Sequence, residues 1–405
     1  MNNQIEFNID ENNNKIYLIT TSVGEDALSM IRISWHCVEK GSYLLIKKDG
    51  EGYIKVLPTE DYWSVEESYV DSSYQNKRYV CRVNLSNLYP NCIYKYKIIC
   101  GNYCSKEYSF KTGSLLELKF MAFADFQYSE NETTINLVNL FANANPDINL
   151  IMCSGDIADE GYKEEAHRFI FDKDLFKDKV LAFGCGDHEY WGSIKSPIKM
   201  FCRPFAYNKL FNNPKNGCES CLNSSFYFKY NKILFIFLDC GDSNIDANNP
   251  IFNDQALWMD EVLSNERGYE FIIVSMHKSL YGDIKQDSNV RKFAPTFIEV
   301  FDKYKVDLVI SGHDHEYSRT KPLVSSIVNE YGTVYLDLGS SGDKRRPTGD
   351  SIKNSLLYDK YIDIFMNNYS LGVIGMINSN KMSLTIRNQY YDIVDYVEIK
   401  RKKRN

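Results

Sequence analysis

Val306-Asp307-Leu308-Val309-Ile310-Ser311-Gly312-His313-Asp314-His315 is a short apolar run that ends in a glycine and two histidines. A run of this length, bounded by a turn signal, fits a strand buried on both faces. Gly312 lets the backbone turn sharply just past it. Spaced two apart in a non-helical turn, both imidazoles would face one crevice, and such a pair invites a metal ion. Alone, the segment reads equally well as a polar loop with two surface histidines. Its recurrence elsewhere in the chain separates the two readings.

Working outward, apolar runs at 118–124, 149–153, 180–183, 233–238 and 271–274 are each followed by polar, chemically capable residues. They lead into Asp125, Ser154-Gly155-Asp156, Gly186-Asp187-His188-Glu189, Asp239 and Ser275-Met276-His277 respectively. Helical patterns lie between them. Ile135, Val138, Phe141 and Ala142 share one face; residues 164–176 read as a second helix with a solvated His167. A third helix starts near Asn253 with Leu257, Trp258 and Val262 inward, and a fourth buries Phe297, Val300, Phe301 and Tyr304. Strand and helix in alternation predict βαβ units and a parallel sheet. Open α/β sheets bind ligands outside the carboxyl ends of their strands, so these residues converge although they span 125 to 315. The chain has 6 histidines, and four of them (His188, His277, His313, His315) follow such runs, which chance scattering would not produce.

Residues 1–115 have another texture. Ile31, Ile33 and Trp35 alternate with Arg32 and Ser34, and Tyr94, Tyr96 and Ile98 with Lys95 and Lys97. Period-two alternation predicts a sandwich with one wet and one dry face on each sheet, and His36 in it as a structural or exposed residue. Residues 190–230, rich in Asn, aromatics and Pro, are too long for a linker and read as a loop covering a site. Runs at 333–338, 371–377, 382–386 and 391–399 read as strands of a second sheet, and the basic stretch 400–405 as a solvated end.

With 405 residues the chain exceeds one typical core, and two domains, 1–115 and 116–405, are expected. Charged residues at 25% and hydrophobic residues at 44% are ordinary globular values. A net charge of -7 argues against a general binder of nucleic acid or anionic membrane, so positive charge at a phosphate site must be local. The first ten residues carry no basic or apolar leader pattern, and no apolar run approaches the ~20 residues of a membrane span. Of the 11 cysteines, several sit in apolar runs; the one Cys-x-x-Cys, Cys218 to Cys221, is open to zinc, a disulfide or chance. A reducing cytoplasm is the expected location. Oligomeric state has no signature.

Carboxylates and imidazoles together suit borderline to hard divalent ions, or Fe(III). Asp125, Asp156 and Asp187 with His277, His313 and His315 exceed the three protein ligands that one open catalytic metal commonly takes. The economical arrangement is a metal pair about 3.5–4 Å apart that shares one carboxylate. Such a pair generates hydroxide near neutral pH and clamps an anionic oxygen, which is the chemistry of phosphoester hydrolysis. Taken singly, each aspartate is explained as a turn or helix cap and each histidine as a bystander; the joint arrangement carries the reading.

Asp125-Phe126-Gln127, Gly155-Asp156-Ile157-Ala158-Asp159, Gly186-Asp187-His188-Glu189, Val274-Ser275-Met276-His277 and Gly312-His313-Asp314-His315 stand in order, each at a strand end. As a set they resemble the motifs of the calcineurin-like metallophosphoesterases, and within them the purple-acid-phosphatase-like branch. Residues 305–319 are similar to that family's final ligand segment. Residues 212–217, leading to Phe226-Tyr227-Phe228, resemble its active-site loop. Leu88-Tyr89-Pro90, Tyr94-Lys95-Tyr96 and 108–112 resemble the fibronectin-III-like domain that precedes the catalytic domain in this branch. The resemblance covers most of the chain.

It implies an α/β fold: a four-layer α/β/β/α sandwich preceded by a small all-β sandwich. It also implies two divalent or mixed-valence metal ions (Fe, Mn or Zn). Asp156 would bridge them, Asp125 and His315 would bind the first, and Asp187, His277 and His313 the second. His188 would be catalytic, touching the phosphate and protonating the leaving alkoxide. Two positions depart from the family. Asp159 stands where the purple enzymes place the tyrosine that colours their Fe(III), so this protein should not be purple. Gln127 would offer its amide oxygen to that vacancy. Asp187 replaces asparagine and adds an anion, which weakens the second metal's Lewis acidity and repels arriving phosphate while tightening metal binding. Lys344, Arg345 and Arg346 follow Gly339-Ser340-Ser341-Gly342 and either touch a phosphate or form a solvated face.

The expected function is hydrolysis of small-molecule phosphomonoesters by metal-hydroxide attack, with no nucleic-acid or membrane partner. Rival readings are a phosphodiesterase or nucleotide hydrolase, a weakly active or inactive pseudophosphatase, and an adhesive or carbohydrate-binding protein led by the β domain.

Overall fold

The computed structural model describes residues 7–63, 77–127, 132–190, 204–241, 248–282, 288–345 and 358–404. In the N-terminal part the apolar runs become β1 (Ile16–Val23), β2 (Ile31–Cys37) and β3 (Arg78–Leu85). Then come β4 (Leu118–Phe123), α1 (Thr133–Ala144), β5 (Leu150–Cys153), α2 (Glu164–Phe171) and β6 (Val180–Phe183). The next unit is β7 (Phe226–Tyr230), β8 (Ile233–Leu238), α3 (Pro250–Asn265), β9 (Phe271–Lys278), α4 (Ser288–Tyr304) and β10 (Leu308–Gly312). β11 (Val334–Leu338), β12 (Leu371–Ile377), β13 (Lys381–Asn388) and β14 (Ile393–Lys400) close the chain.

Among the described residues these strands build two large sheets. One is ten-stranded, in the order β14-β13-β12-β4-β5-β6-β1-β2-β3 with Thr59–Trp63 at its edge. The other is seven-stranded and runs β7-β8-β9-β10-β11, then Tyr317–Thr320 and Ile362–Met366. β4, β5 and β6 are mutually parallel, as are β8, β9, β10 and β11, so their carboxyl ends emerge on one rim. The sheets pack face to face through alternate residues: Phe120, Ala122, Leu150 and Met152 from one, Phe235, Phe237, Ile273 and Ile310 from the other. The rings of Phe120 and Phe235 meet edge to face at 6.3 Å. Each such fully buried large side chain contributes about 1.5–3 kcal/mol. Phe141 and Val138 of α1 and Ile170 of α2 cover the outer face of the first sheet; Met259 of α3 and Phe297 of α4 cover that of the second. The result is the expected α/β/β/α sandwich. No helix among the described residues is long and apolar enough to cross a membrane.

The N-terminal strands differ from the alternating expectation. β1 and β2 are buried along their whole length, including Arg32, Ser34 and His36. The cause is connectivity: β6 pairs in parallel with β1 through Leu181 and Ser22, so the N-terminal sheet continues the catalytic one. Its would-be wet face is covered by the segment around residues 209–212: His36 Nε2 meets Lys209 O at 3.1 Å, and Asn212 Nδ2 donates to Val83 O at 3.2 Å. Tyr43–Lys48 and Ile93–Cys100 form the opposing layer, with Trp35, Leu44, Ile46, Tyr96 and Ile98 between. Residue 115 lies in the connection between Lys111 and Leu118.

Further expectations are corrected. β12, β13 and β14 do not join β11 in the second sheet; β12 pairs antiparallel with β4, returning the chain to the first. The helix expected over 164–176 stops at Phe171: Lys173 is extended (ψ 135°) and a separate short helix runs Asp174–Lys177, while the Asp172 carboxylate between them accepts from Leu18 N at 2.9 Å and Arg168 Nε at 2.8 Å. His167 is buried, not solvated. α3 starts at Pro250, capped by Asn249, whose Oδ1 accepts from Ile251 N at 3.0 Å; proline at the first helical position suits this start. That phase puts Phe252, Met259 and Leu263 inward and leaves Leu257 exposed. The basic end is docked. Lys402 Nζ donates to Val306 O at 2.6 Å, Arg404 pairs with the buried Asp307, and Arg401 Nη1 lies 3.0 Å from Glu270 Oε1. Of the expected loop over 190–230, residues 191–203 lie outside the described residues, as does Arg346.

Candidate metal centre

Each strand on the shared rim ends in a turn that the local sequence makes possible. Asp125, Gln127, Asp156, His313 and His315 all sit at positive φ (49°, 33°, 53°, 77° and 59°). Non-glycine residues there cost of order 1–3 kcal/mol each and cluster at functional sites. Glycines make room: a Cβ on Gly312 would sit 2.1 Å from Asp125 Oδ2, and one on Gly186 would sit 2.2 Å from Asp156 Oδ1. No side chain larger than hydrogen fits either place.

Two triads of buried donors result, Asp125 with Asp156 and His315, and Asp187 with His277 and His313, each with ligand atoms within 4.8 Å of one another. His277 Nε2 lies 3.1 Å from Asp156 Oδ1 and 3.0 Å from Asp187 Oδ1, so Asp156 also borders the second triad. His313 Nδ1 is 3.0 Å from Asp187 Oδ1, and His315 Nε2 is 3.3 Å from Asp125 Oδ1. All six sequence-expected carboxylate and imidazole donors are therefore brought together. Gln127 joins them: its Nε2 donates to Asp156 Oδ2 at 2.8 Å, while its buried Oε1 has no hydrogen-bond partner among the described residues. His188 stands beside them with Nε2 3.7 Å from Asp156 Oδ2.

The surroundings aim these groups. His277 Nδ1 faces Ser154 O at 3.1 Å, which directs Nε2 into the centre. His313 N donates to both Asp125 oxygens, at 3.1 and 3.0 Å. Glu189 holds the turn that carries Asp156: its carboxylate accepts from Gly186 N, Asp156 N and Ile157 N at 2.7, 2.9 and 2.8 Å. Glu189 lies outside the donor set expected from the sequence; its place directly after His188 is the available signal.

Charge at the centre calls for cations. Burial lowers the affinity of His277 for its proton, but Asp156, Asp187 and Asp125 outweigh it, and His277 stands well above the usual imidazole range. Burial raises Asp187, yet the His277 and His313 hydrogen bonds hold it well below the usual carboxylate range. Burial raises Glu189 to about 7, with the Asp156 charge adding to the effect. Three buried carboxylates, imidazoles aimed among them and an orphaned amide oxygen are a fitting donor set for two divalent ions.

Lys344, Arg345 and Asp159 resolve as follows. Asp159 belongs to neither triad; its carboxylate pairs with Lys344 Nζ. Arg345 Nη1 donates outward to Asn368 O at 3.3 Å. The only signal for the Lys344 contact was a glycine- and serine-rich turn after a strand on the same rim.

A fold of two helix-backed sheets with two triads of metal-capable donors on their common rim defines a metallophosphoesterase architecture. The sequence comparisons agree. Residues 118–317 match the model of the calcineurin-like phosphoesterases, and residues 17–112 that of the purple acid phosphatase N-terminal domain. The chain thus carries a calcineurin-like metallophosphoesterase domain preceded by a purple acid phosphatase N-terminal domain. It is 25% identical over 279 residues to probable purple acid phosphatase 20 of Arabidopsis thaliana, covering 64% of this chain and 60% of that protein. It is 22% identical over 282 residues to purple acid phosphatase 21 of the same plant, covering 67% and 60%. The chain thus spans about 60% of the length of these curated relatives. The fold is similar to that of purple acid phosphatase PPD1 from yellow lupin (Lupinus luteus) seeds, with a TM-score of 0.79 at 15% identity over 96% of this chain and 75% of that one.

Proposed function

We propose that this protein is a metal-dependent hydrolase of small-molecule phosphoesters, with phosphomonoesters preferred. The observation that carries the reading is Asp156, buried and placed against both donor triads. One ion would be held by Asp125, Asp156 and His315 with Gln127 alongside, the other by Asp187, His277 and His313 with Asp156 shared. Bound there, two ions would supply Lewis acidity toward a phosphoryl oxygen and lower the pKa of water.

The chain's own groups do the rest. Ser154 O and the Asp125 carboxylate hold His277 and the His313 backbone in place, so the donors are set before substrate arrives. Glu189 fixes the Asp156 turn through three backbone amides. His188 presents Nε2 beside Asp156; with both ring nitrogens protonated it gives the Nε2 proton to the departing alkoxide as general acid and keeps the Nδ1 hydrogen on the Asp159 carbonyl.

One feature favours a second reading. The Asp187 carboxylate, where the resemblance expects a neutral amide, adds negative charge beside the arriving phosphate, and that favours a singly charged diester over a dianionic monoester. The test is elemental analysis of the protein as purified, followed by turnover on a panel of nitrophenyl mono- and diesters and nucleotides. Two ions per chain with monoester turnover support the reading. Faster diester turnover moves it to the second, and bound metal without turnover of any ester leaves a pseudophosphatase.

A further inference from the structure

His188 is the imidazole on this rim that belongs to neither triad, and a general acid is useful only when its ring is aimed. Its Nδ1 lies 2.5 Å from Asp159 O and 3.6 Å from Asp159 Oδ1, on the opposite side of the ring from Asp156. A carbonyl only accepts, so Nδ1 carries the hydrogen of that contact and Nε2 faces the centre. Asp159 therefore has two ends in use: its carbonyl holds the ring, and its carboxylate pairs with Lys344.

Lys344 comes from a loop fastened to the Asp125 turn. Ser341 N donates to Ala124 O at 2.9 Å, and Ala124 N returns a hydrogen bond to Ser341 Oγ at 3.2 Å. Ser340 Oγ donates to Asp125 O at 3.3 Å. Gly342 presses so closely on the same turn that a Cβ there would lie 2.4 Å from Phe126 O. The ammonium is thus delivered from a base tied to the first triad, and it grips the residue that orients the acid.

We propose that Lys344 is a positioning residue for His188. By pairing with Asp159 it fixes the turn whose carbonyl holds Nδ1, and so points Nε2 at the leaving group. It also holds the Asp159 carboxylate, which stands at the family's tyrosine position. The inference rests on the phosphoesterase reading, and its test is built to fail separately from it.

The full chain loaded with its metals is assayed as wild type, Lys344→Ala and Lys344→Arg, on p-nitrophenyl phosphate and on glycerol phosphate. Nitrophenolate leaves without a proton, whereas an alkoxide needs one. Lys344→Ala should lower kcat on glycerol phosphate at least about tenfold more than on p-nitrophenyl phosphate, with inhibition by inorganic phosphate unchanged and Lys344→Arg restoring the rate. Equal losses on both esters, no loss on either, or weakened phosphate inhibition overturns the proposal; the last would make Lys344 a phosphate contact. Long-range 15N–1H correlation spectra of the metal-free protein give a readout without turnover. His188 should be Nδ1-protonated in the wild type and a tautomer mixture in Lys344→Ala, and an unchanged tautomer overturns the proposal. Should the metal-loaded wild type cleave neither ester, the phosphoesterase reading fails while the spectra still decide the positioning.

Discussion

Arg78 and Glu164 form a bidentate ion pair, Nη1 to Oε1 at 2.5 Å and Nη2 to Oε2 at 2.9 Å, with the guanidinium wholly buried. Arg78 is on β3 and Glu164 opens α2, so the contact ties the N-terminal strands to the layer that backs the Asp156 and Asp187 strands. Removing one partner of a buried pair leaves a stranded charge, which costs about 3–5 kcal/mol, whereas an apolar replacement of both is far milder. Arg78→Ala should therefore lower the urea midpoint steeply, and Arg78→Met with Glu164→Leu should recover most of the loss. Chemical denaturation of the three proteins decides it; a mild single variant would show that the two layers are joined by other contacts.

Metal uptake should release protons. In the metal-free fold, burial lowers His277, but Asp156 and Asp187 outweigh it and keep the ring protonated above its ordinary 6.5. An ion must displace that proton, so affinity should rise with pH through and above neutrality. The same shift gives a sign for stability. His277 contributes fully below 6.5, and that contribution is lost as pH rises through its higher folded value. Metal-free protein should thus melt earlier at alkaline pH than at neutral pH, and metal should abolish the trend. Calorimetric titration with zinc in buffers of differing ionisation enthalpy measures the protons released; a count of zero contradicts the expectation.

Acid tolerance should depend on Asp395. It accepts from Tyr317 Oη and Arg319 Nε, both at 2.7 Å. Burial raises its pKa, but these two donors outweigh burial and leave it below 3.8. A depressed carboxylate contributes stability above its unfolded pKa and loses it as pH falls through the folded one, so the contribution disappears only below about pH 3.8. Asp395→Asn should cost about 1.5–3 kcal/mol at pH 7, and the difference from wild type should vanish in strong acid. Thermal melts between pH 7 and pH 2 follow the convergence.

Substrate charge should track Asp187. Asp187→Asn removes an anion from the second triad while keeping a ligand oxygen. We expect monoester turnover to rise several-fold relative to diester turnover, and metal to dissociate more readily. Identical ratios in both proteins would mean that the bound ions fully absorb the extra charge.

The rim was legible because its signals are local. A buried run, a small residue and a donor at each strand end can be read without knowing what lies across the sheet, and six of the residues so read gather at one place, with Gln127 hydrogen-bonded to Asp156 through its amide nitrogen. What escaped was decided at long range. The solvated reading of His167 failed because β1, drawn from the other end of the chain, packs on its helix. The wet face of β2 vanished when β6 joined β1. The return of β12 to β4 is a pairing choice between strands of similar pattern, and alternation alone does not make it. Asp159 and Lys344 meet across 185 residues, beyond any spacing rule.

The docked end of the chain has a temporal consequence. Every donor of the centre is made by residue 315, yet the foot of β10, which carries the last two, is clamped at Val306 and Asp307 by Lys402 and Arg404. The neighbour of the Asp125 strand, β12, is also late. A nascent chain emerging from the ribosome therefore holds all its ligands long before it holds them still. Completion of the metal-binding geometry waits for strand and clamp residues translated well after the last donor.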